Sequence, residues 1–410
     1  MRRIAWGLLL LFAFAIPWEY SLDLGEPLGN IARLLGLLVL LAAIPAVLQA
    51  GRLRTPGLML WLVLALYLWF CCSYFWTTEP LATLDKMRGY FQEMMLVWLV
   101  WEFAESPSDL RALLQAYVAG SWVLAVLTVV NVASTEAIAA GQIRFAATGQ
   151  DPNDVARFLD LGLPLAALLL NSEQRWAGRL LALGYLPLGL VAVLLTASRG
   201  GFLAGVVALA GCGVLLMRNH AKAVIAGTVA LPAIAAALWM SVPHETLERL
   251  ATIPEQLQSG DLNQRLNIWN AGWDAFVRAP LFGSGAGSFA SVAGLNPLDT
   301  AHNTTLAILV SGGLCAFSLA VAIVVVAAHA AMRTSGPLRL ALVTALLVWM
   351  VTSLVATVEE SRTTWLLLGL IALAGRLAVN DPNQLAKCFP DAAPVPAFEM
   401  AHAPLPSAGG

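Results

Sequence analysis

The sequence predicts an all-α polytopic membrane protein with about twelve transmembrane helices. Three observations carry this: 59% of the 410 residues are hydrophobic and only 12% charged, mean hydropathy is +0.76, and apolar runs of span length recur along the chain. Soluble domains carry about one-quarter charged residues, so lipid is the main solvent here. A net charge of −2 gives no global basic or acidic field, which disfavours nucleic acid as a partner. The five cysteines (Cys71, Cys72, Cys212, Cys315 and Cys388) are scattered without a C-x-x-C. They supply neither a disulfide framework nor a zinc site, and core packing accounts for them.

Met1-Arg2-Arg3 and the apolar run to Ile16 have the outline of a signal peptide, with Ala13-Phe14-Ala15 resembling a cleavage site. Further spans follow at once, so this segment reads as a retained first helix. Spans fall near 4–18, 29–48, 56–76, 88–104, 110–131 and 153–170, then near 179–196, 200–217, 222–241, 301–331, 338–357 and 363–379. Basic residues test the count, because Lys and Arg concentrate in cytoplasmic loops. With cytoplasmic termini, Arg2/Arg3, Arg52/Arg54, Arg175/Arg179, Arg218/Lys222, Arg333/Arg339 and Arg376/Lys387 share one side. The net acidic loop from Glu102 to Arg111 is the exception.

The opposite side receives Glu19–Glu26, 132–152, the turn at Ser198-Arg199, 242–300 and Glu359-Glu360. Residues 1–380 therefore form one transmembrane domain, with a large, mainly helical periplasmic loop at 242–300 between spans nine and ten. Residues 381–410, rich in Pro and Ala without an apolar period, are expected to be a disordered cytoplasmic tail. In the long loop, Leu262, Leu266, Trp269, Trp273 and Phe276 recur at helical steps. Their face either lies along the membrane surface or packs onto other loop residues, and both readings hold Arg265 at its edge.

This topology puts Arg33, Arg88, Arg144, Asp151, Arg157, Asp160, Arg199, Arg265 and His302 in the outer half or on the outer surface. Ionisable groups in lipid are costly and face a protein interior or a water-filled cavity. Arginine's planar fork suits phosphate, so the set points to a phosphate-bearing ligand near the outer leaflet. Snorkelling to headgroups is the simpler account of Arg33 and Arg88. Arg199 differs, lying in Thr196-Ala197-Ser198-Arg199-Gly200-Gly201, where glycines permit close approach.

Asp151-Pro152-Asn153-Asp154 has the form of a helix start, Asp151 capping and Pro152 at the first position; Asp151 could equally orient an arginine or bind a sugar hydroxyl. His302 begins span ten, where the helix dipole favours neutral imidazole, a form able to act as a general base; an interfacial polar residue is the plainer alternative. The Gly283-Ser284-Gly285-Ala286-Gly287-Ser288 run neither follows a strand nor opens a βαβ unit, so a turn explains it better than a nucleotide site. The spans keep their centres almost free of charge, which together with the lack of an internal repeat counts against a transporter or flippase.

Four segments in order resemble the O-antigen ligase superfamily, which includes O-antigen ligases and Wzy-type polysaccharide polymerases. They are Arg144 through Asp151-Pro152-Asn153, then Thr196 to Gly201, then Gln264-Arg265-Leu266-Asn267-Ile268-Trp269 leading to Pro280 and Gly283-Ser284-Gly285, then His302-Asn303 before Gly312-Gly313. The resemblance implies a GT-C-type, metal-independent inverting glycosyltransferase without a cofactor, in a bacterial inner membrane with a periplasmic active site. By the resemblance, Arg199 and Arg265 grip the diphosphate of an undecaprenyl-linked glycan and His302 is the base. Arg144, Asp151, Asn153, Arg157 and Asn303 are the expected substrate-binding residues. The acceptor is lipid A-core for a ligase, or the carrier-linked glycan for a polymerase.

Overall fold

A computed structural model describes residues 1–25, 29–134, 142–172, 175–217, 244–252, 265–297 and 299–390. Ten helices among them are long and apolar enough to cross a membrane. They are α1 (Arg2–Ala15, prolonged by a 3-10 turn to Ser21), α2 (Ile31–Ala50), α3 (Leu58–Cys72), α5 (Pro107–Val132), α6 (Pro152–Ser172), α7 (Trp176–Leu195), α8 (Arg199–Met217), α12 (Thr304–Arg333), α13 (Gly336–Ser353) and α14 (Arg362–Asn380). Each matches an apolar run read from the sequence. An eleventh long helix, α4 (Pro80–Phe103), starts eight residues before the expected 88. Pro80 at its first turn fixes a helical φ, and the charged Asp85, Lys86 and Arg88 wind on above the apolar stretch. The expected span at 222–241 lies outside the described residues.

Burial separates centre from rim. The span window of α6 is 94% buried and that of α14 78%, against 22% for α2, so α6 and α14 are enclosed by protein and α2 faces lipid. The central α6 packs on α7, α13 and α5, while α14 packs on α4 and α12. Buried carboxylates correct the expectation of charge-free centres: Glu93 in α4 and Asp160 in α6 are 3% and 0% exposed. Both Asp160 oxygens and Glu93 Oε2 lack a hydrogen-bond partner among the described residues.

The bundle has two chemically distinct ends. At one, Arg2 donates to the carbonyl of Glu102 at 2.8 Å, and the Arg54 backbone N–H donates to the Glu102 carboxylate at 2.9 Å. Arg2 and Arg54 both pair with Glu105. The acidic loop that broke the charge pattern thus neutralises arginines on its own side. Beside it, α15 (Pro382–Cys388) corrects the reading of disorder from Asp381: the Asp381 carboxylate caps the Gln384 N–H at 3.2 Å, and Leu385 and Phe389 are buried. The Phe389 ring lies 5.6 Å from the Arg111 guanidinium. A short capped turn with two apolar anchors is too brief to show as a period in composition.

The other end carries the rest of the chain. Here lie the short α9 (His244–Ala251), α10 (Arg265–Arg278) and α11 (Phe289–Val292). α10 packs through Ile268, Trp269, Ala275 and Phe276 onto Phe289 and Leu306. Trp269 Nε1 donates to the carbonyl of Ala301 at 3.0 Å. The expected stripe is therefore divided, with Phe276 inward while Leu266 and Trp273 are 42% and 54% exposed; Leu262 lies outside the described residues. A packed face and an exposed apolar face coexist on one helix.

The Gly283–Ser288 run is a turn, as expected, and its role is attachment. Ser284 and Gly285 N–H groups donate to the carbonyls of Val310 and Ser311 at 2.8 and 2.9 Å, where α12 breaks at Gly313 (φ 65°). Gly283 (φ +68°) sits so close that a Cβ would lie 2.6 Å from the Gly312 nitrogen. Only glycine meets both demands.

Candidate active site

Three local structures set the site. Asp151 caps α6, its carboxylate accepting from the Asn153 N–H at 2.7 Å ahead of Pro152. The tight α7–α8 turn passes through Ala197 at φ 47°, a left-handed conformation costly for any residue with a Cβ. Its Thr196 hydroxyl accepts from the Ser198 N–H at 3.2 Å, and the Ser198 hydroxyl from the Gly201 N–H at 3.2 Å. Finally, α12 opens on His302 at φ 45° followed by Asn303, whose side chain caps the Leu306 N–H at 2.9 Å.

These elements bring four arginines together. Arg144 donates to the carbonyl of Thr196 at 3.3 Å and to the side chain of Asn153 at 2.8 Å. The same Asn153 oxygen accepts from Ser198 at 2.8 Å, tying α6 to the turn. Arg199 donates to the carbonyl of Arg249 at 3.3 Å and to the Thr252 hydroxyl at 2.6 Å. In return Arg249 donates to the carbonyl of Ala197 at 3.3 Å. Arg265, at the start of α10, completes the group. All four are half-buried, and Asp151 is exposed.

Electrostatics place these groups within reach of one another. Burial, then the guanidiniums of Arg249, Arg265 and Arg199, hold Arg144 below its ordinary value, against the opposing pull of Asp151. Arg265 is lowered first by burial and then by Arg199 and Arg249, with Asp151 again opposing. Arg249 is lowered by burial and by Arg199. Two like unit charges about 7 Å apart repel by about 2 kcal/mol at an effective dielectric constant near 20. Such a group favours a multivalent anion.

His302 belongs to the same assembly. Burial and then Arg265 push its imidazole below the ordinary 6.5, with Asp151, Asp299 and Asp154 opposing. Its Nδ1 lies 3.4 Å from the Thr300 hydroxyl, leaving Nε2 as the nitrogen directed elsewhere. The ring is thus neutral at pH 7 and able to accept a proton.

The structure therefore gathers Arg144, Asp151, Asn153, Arg199, Arg265 and His302, and separates others. Arg157 is 3% exposed, pairs with Asp154 at 2.8 Å and stacks on Phe158, and so borders the cluster through Asp154, whose charge reaches Asp151 and His302, without lining it. Asn303 is committed to its cap and to the carbonyl of Leu354 at 3.2 Å. Arg88 pairs with Asp85 on an exposed helix face, and Arg33 lines a different cleft with Arg362 and Phe12. Arg249 went unnoticed in the sequence. Its signal is the short run in which Thr246 is buried and bonded to the carbonyl of Ile143 at 2.8 Å while Leu247 packs on the Phe145 cluster, fixing α9 against the site. Among the described residues no group of three or more His, Cys, Asp or Glu could hold a metal ion.

No curated protein matches the chain. An O-antigen ligase family model matches residues 184–321, a stretch that includes Arg199, Arg249, Arg265 and His302 but not Arg144 or Asp151. That match supports assigning the chain to the O-antigen ligase and Wzy-type superfamily.

Proposed function

We propose that this protein is a GT-C-type glycosyltransferase of the O-antigen ligase kind. At the periplasmic face of a bacterial inner membrane it would transfer a glycan from undecaprenyl diphosphate to lipid A-core, by metal-independent inverting displacement. The observation that carries the reading is the convergence of Arg144, Arg199, Arg249 and Arg265, with Asp151 beside Arg144 and Arg265 and a neutral His302 next to them. A departing diphosphate gains negative charge, and fixed guanidiniums aimed at developing charge lower the barrier.

In the proposed reaction the acceptor hydroxyl oxygen attacks the anomeric carbon while its proton passes to His302 Nε2. The bond from the anomeric carbon to phosphate oxygen breaks, and its electron pair leaves with undecaprenyl diphosphate. One displacement inverts the anomeric centre. Asp151 and Arg144 shape the sugar-side wall, with Asn153 holding Arg144 in place.

The test is to replace Arg199, Arg265 and His302 singly by Ala in well-expressed protein and to measure glycan transfer onto lipid A-core. Loss of transfer in all three is expected; unimpaired transfer removes that residue from the mechanism. In a deletion strain a ligase leaves lipid A-core bare while carrier-linked chains accumulate. Caps of a single repeat unit would instead identify a polymerase.

A further inference from the structure

At the end of the bundle away from the arginine cluster, α3, α4, α12 and α14 enclose a cleft of about 490 Å³. Its polar rim includes His329, Arg333 and Arg376, and its walls include Val326, Val379 and Trp101. Trp101 packs against Gly57, where a Cβ would approach the ring to 2.7 Å. Arg376 is fixed over the same ring, 4.6 Å from its centroid, and donates to the carbonyls of Trp101, at 2.6 Å, and Ala104. The rim is thus cationic and partly preset, and the floor is apolar.

Charge accounting leaves this rim in excess. The carboxylates that act on Arg376 are Glu102 and Glu105, and these pair with Arg2 and Arg54, while Asp381, next to the rim residue Asn380, caps the Gln384 N–H. Among the described residues no carboxylate forms an ion pair with Arg333 or Arg376. The cleft also lies at a defined depth. Beyond its break at Gly313, α12 runs from Leu314 to Arg333, about 20 residues and about 30 Å at 1.5 Å per residue, the thickness of a hydrocarbon core of about 30 Å. Arg333 therefore stands at the headgroup level of the leaflet opposite the candidate active site.

We propose that this cleft is a binding site for one anionic phospholipid, phosphate on Arg333, Arg376 and His329 and an acyl chain along Val326 and Val379. Basic pockets between membrane helices take such headgroups, and Trp101 is of the residue type that settles at that level. The site is separate from glycosyl transfer and stands whether or not that function is correct.

Native mass spectrometry of the full chain in detergent tests it, using phosphatidylglycerol and phosphatidylethanolamine at equal concentration. The wild type is expected to retain phosphatidylglycerol preferentially. Arg333→Gln should weaken that retention about five-fold, the effect of one arginine near an anionic headgroup, and Arg333→Glu should abolish the preference. Arg88→Glu, at the other end, should leave it intact. Both Arg333 and His329 are exposed, so folding is preserved and a monodisperse elution profile checks it. Equal retention of the two lipids, unchanged retention in Arg333→Gln, or displacement of the lipid by millimolar inorganic phosphate overturns the proposal.

Discussion

Arg199 and Arg249 brace one another across two segments: Arg199 Nε donates to the backbone carbonyl of Arg249 at 3.3 Å, and Arg249 Nε donates to the carbonyl of Ala197, two residues before Arg199, also at 3.3 Å. The Arg199 guanidinium rests on the backbone of Arg249 and that of Arg249 on the turn just before Arg199, so truncating Arg249 removes one of the two ties between the segments and one cation from the site. Arg249→Ala is expected to lower glycan transfer by about 10²-fold, the usual cost of one preorganised donor to developing charge. Arg249→Lys should recover only part of this, because an ammonium lacks the planar fork. Transfer within two-fold of wild type in Arg249→Ala would leave Arg249 outside the site. Thermal unfolding of the same samples separates lost chemistry from lost fold.

The pH profile follows from His302. Its folded-state value lies below 6.5, so the base form dominates at neutral pH and the acid limb of kcat/KM should fall below that value. Arg265 is the largest charge contribution to the depression. Arg265→Gln should lower transfer strongly, and in the transfer that remains the acid limb should move toward higher pH. Linkage gives the sign for stability. The unfolded chain binds this proton more tightly than the folded one, so the contribution is complete above 6.5 and is lost as pH falls through it. An acid limb unmoved by Arg265→Gln would disconnect the two residues.

The spans were legible because a strong apolar signal needs no tertiary information; α1, α5 and α6 all fall within a few residues of their expected bounds. The start of α4 was not, since charged turns beyond the apolar core look like loop until Pro80 is placed. Glu93 escaped for a related reason, because burial by neighbouring helices is invisible along one chain; Asp160 was legible as an ionisable group in a span, but not its full enclosure. Arg199, Arg265 and His302 stood out by motif. Arg249 did not, because its position depends on α9 folding back onto the Ala197 turn, a contact between segments about fifty residues apart. For Asn153 and Asn303 the structure adds a holding role that spacing does not show: the Asn153 oxygen accepts from Arg144 and Ser198, and the Asn303 side chain caps α12.

Gly283 and Gly294 make a matched pair for testing the attachment of the outer segment. Both have positive φ, +68° and +69°, but a Cβ at 283 would lie 2.6 Å from backbone atoms of α12, whereas nothing lies within 4 Å at 294. Gly294→Ala should cost only the left-handed strain, about 1 kcal/mol. Gly283→Ala adds a clash with backbone that has no rotamer to yield, about 3 kcal/mol or more in total. Unfolding midpoints in detergent compare them directly. Equal midpoints would mean that the Gly283 turn is not held against Gly313.

Glu359 offers a pH test of opposite sign. It lies between α13 and α14, 8% exposed, with Oε2 lacking a partner among the described residues. Burial, then the carboxylate of Glu360, raises it from 4.5 to about 8. Glu360 itself pairs with Lys86. A raised carboxyl stabilises the fold fully below 4.5, and that contribution is lost as pH rises toward 8, because the unfolded chain ionises first. The wild-type unfolding midpoint should therefore fall across this window while that of Glu359→Gln, which has the same shape and no proton to lose, stays flatter. Below pH 4.5 the two should coincide; by pH 8 the variant should be the more stable, by on the order of a few kcal/mol. Parallel midpoints from pH 5 to 8 would show that Glu359 is ionised in the fold, and its buried oxygen would then need a donor on a neighbouring helix.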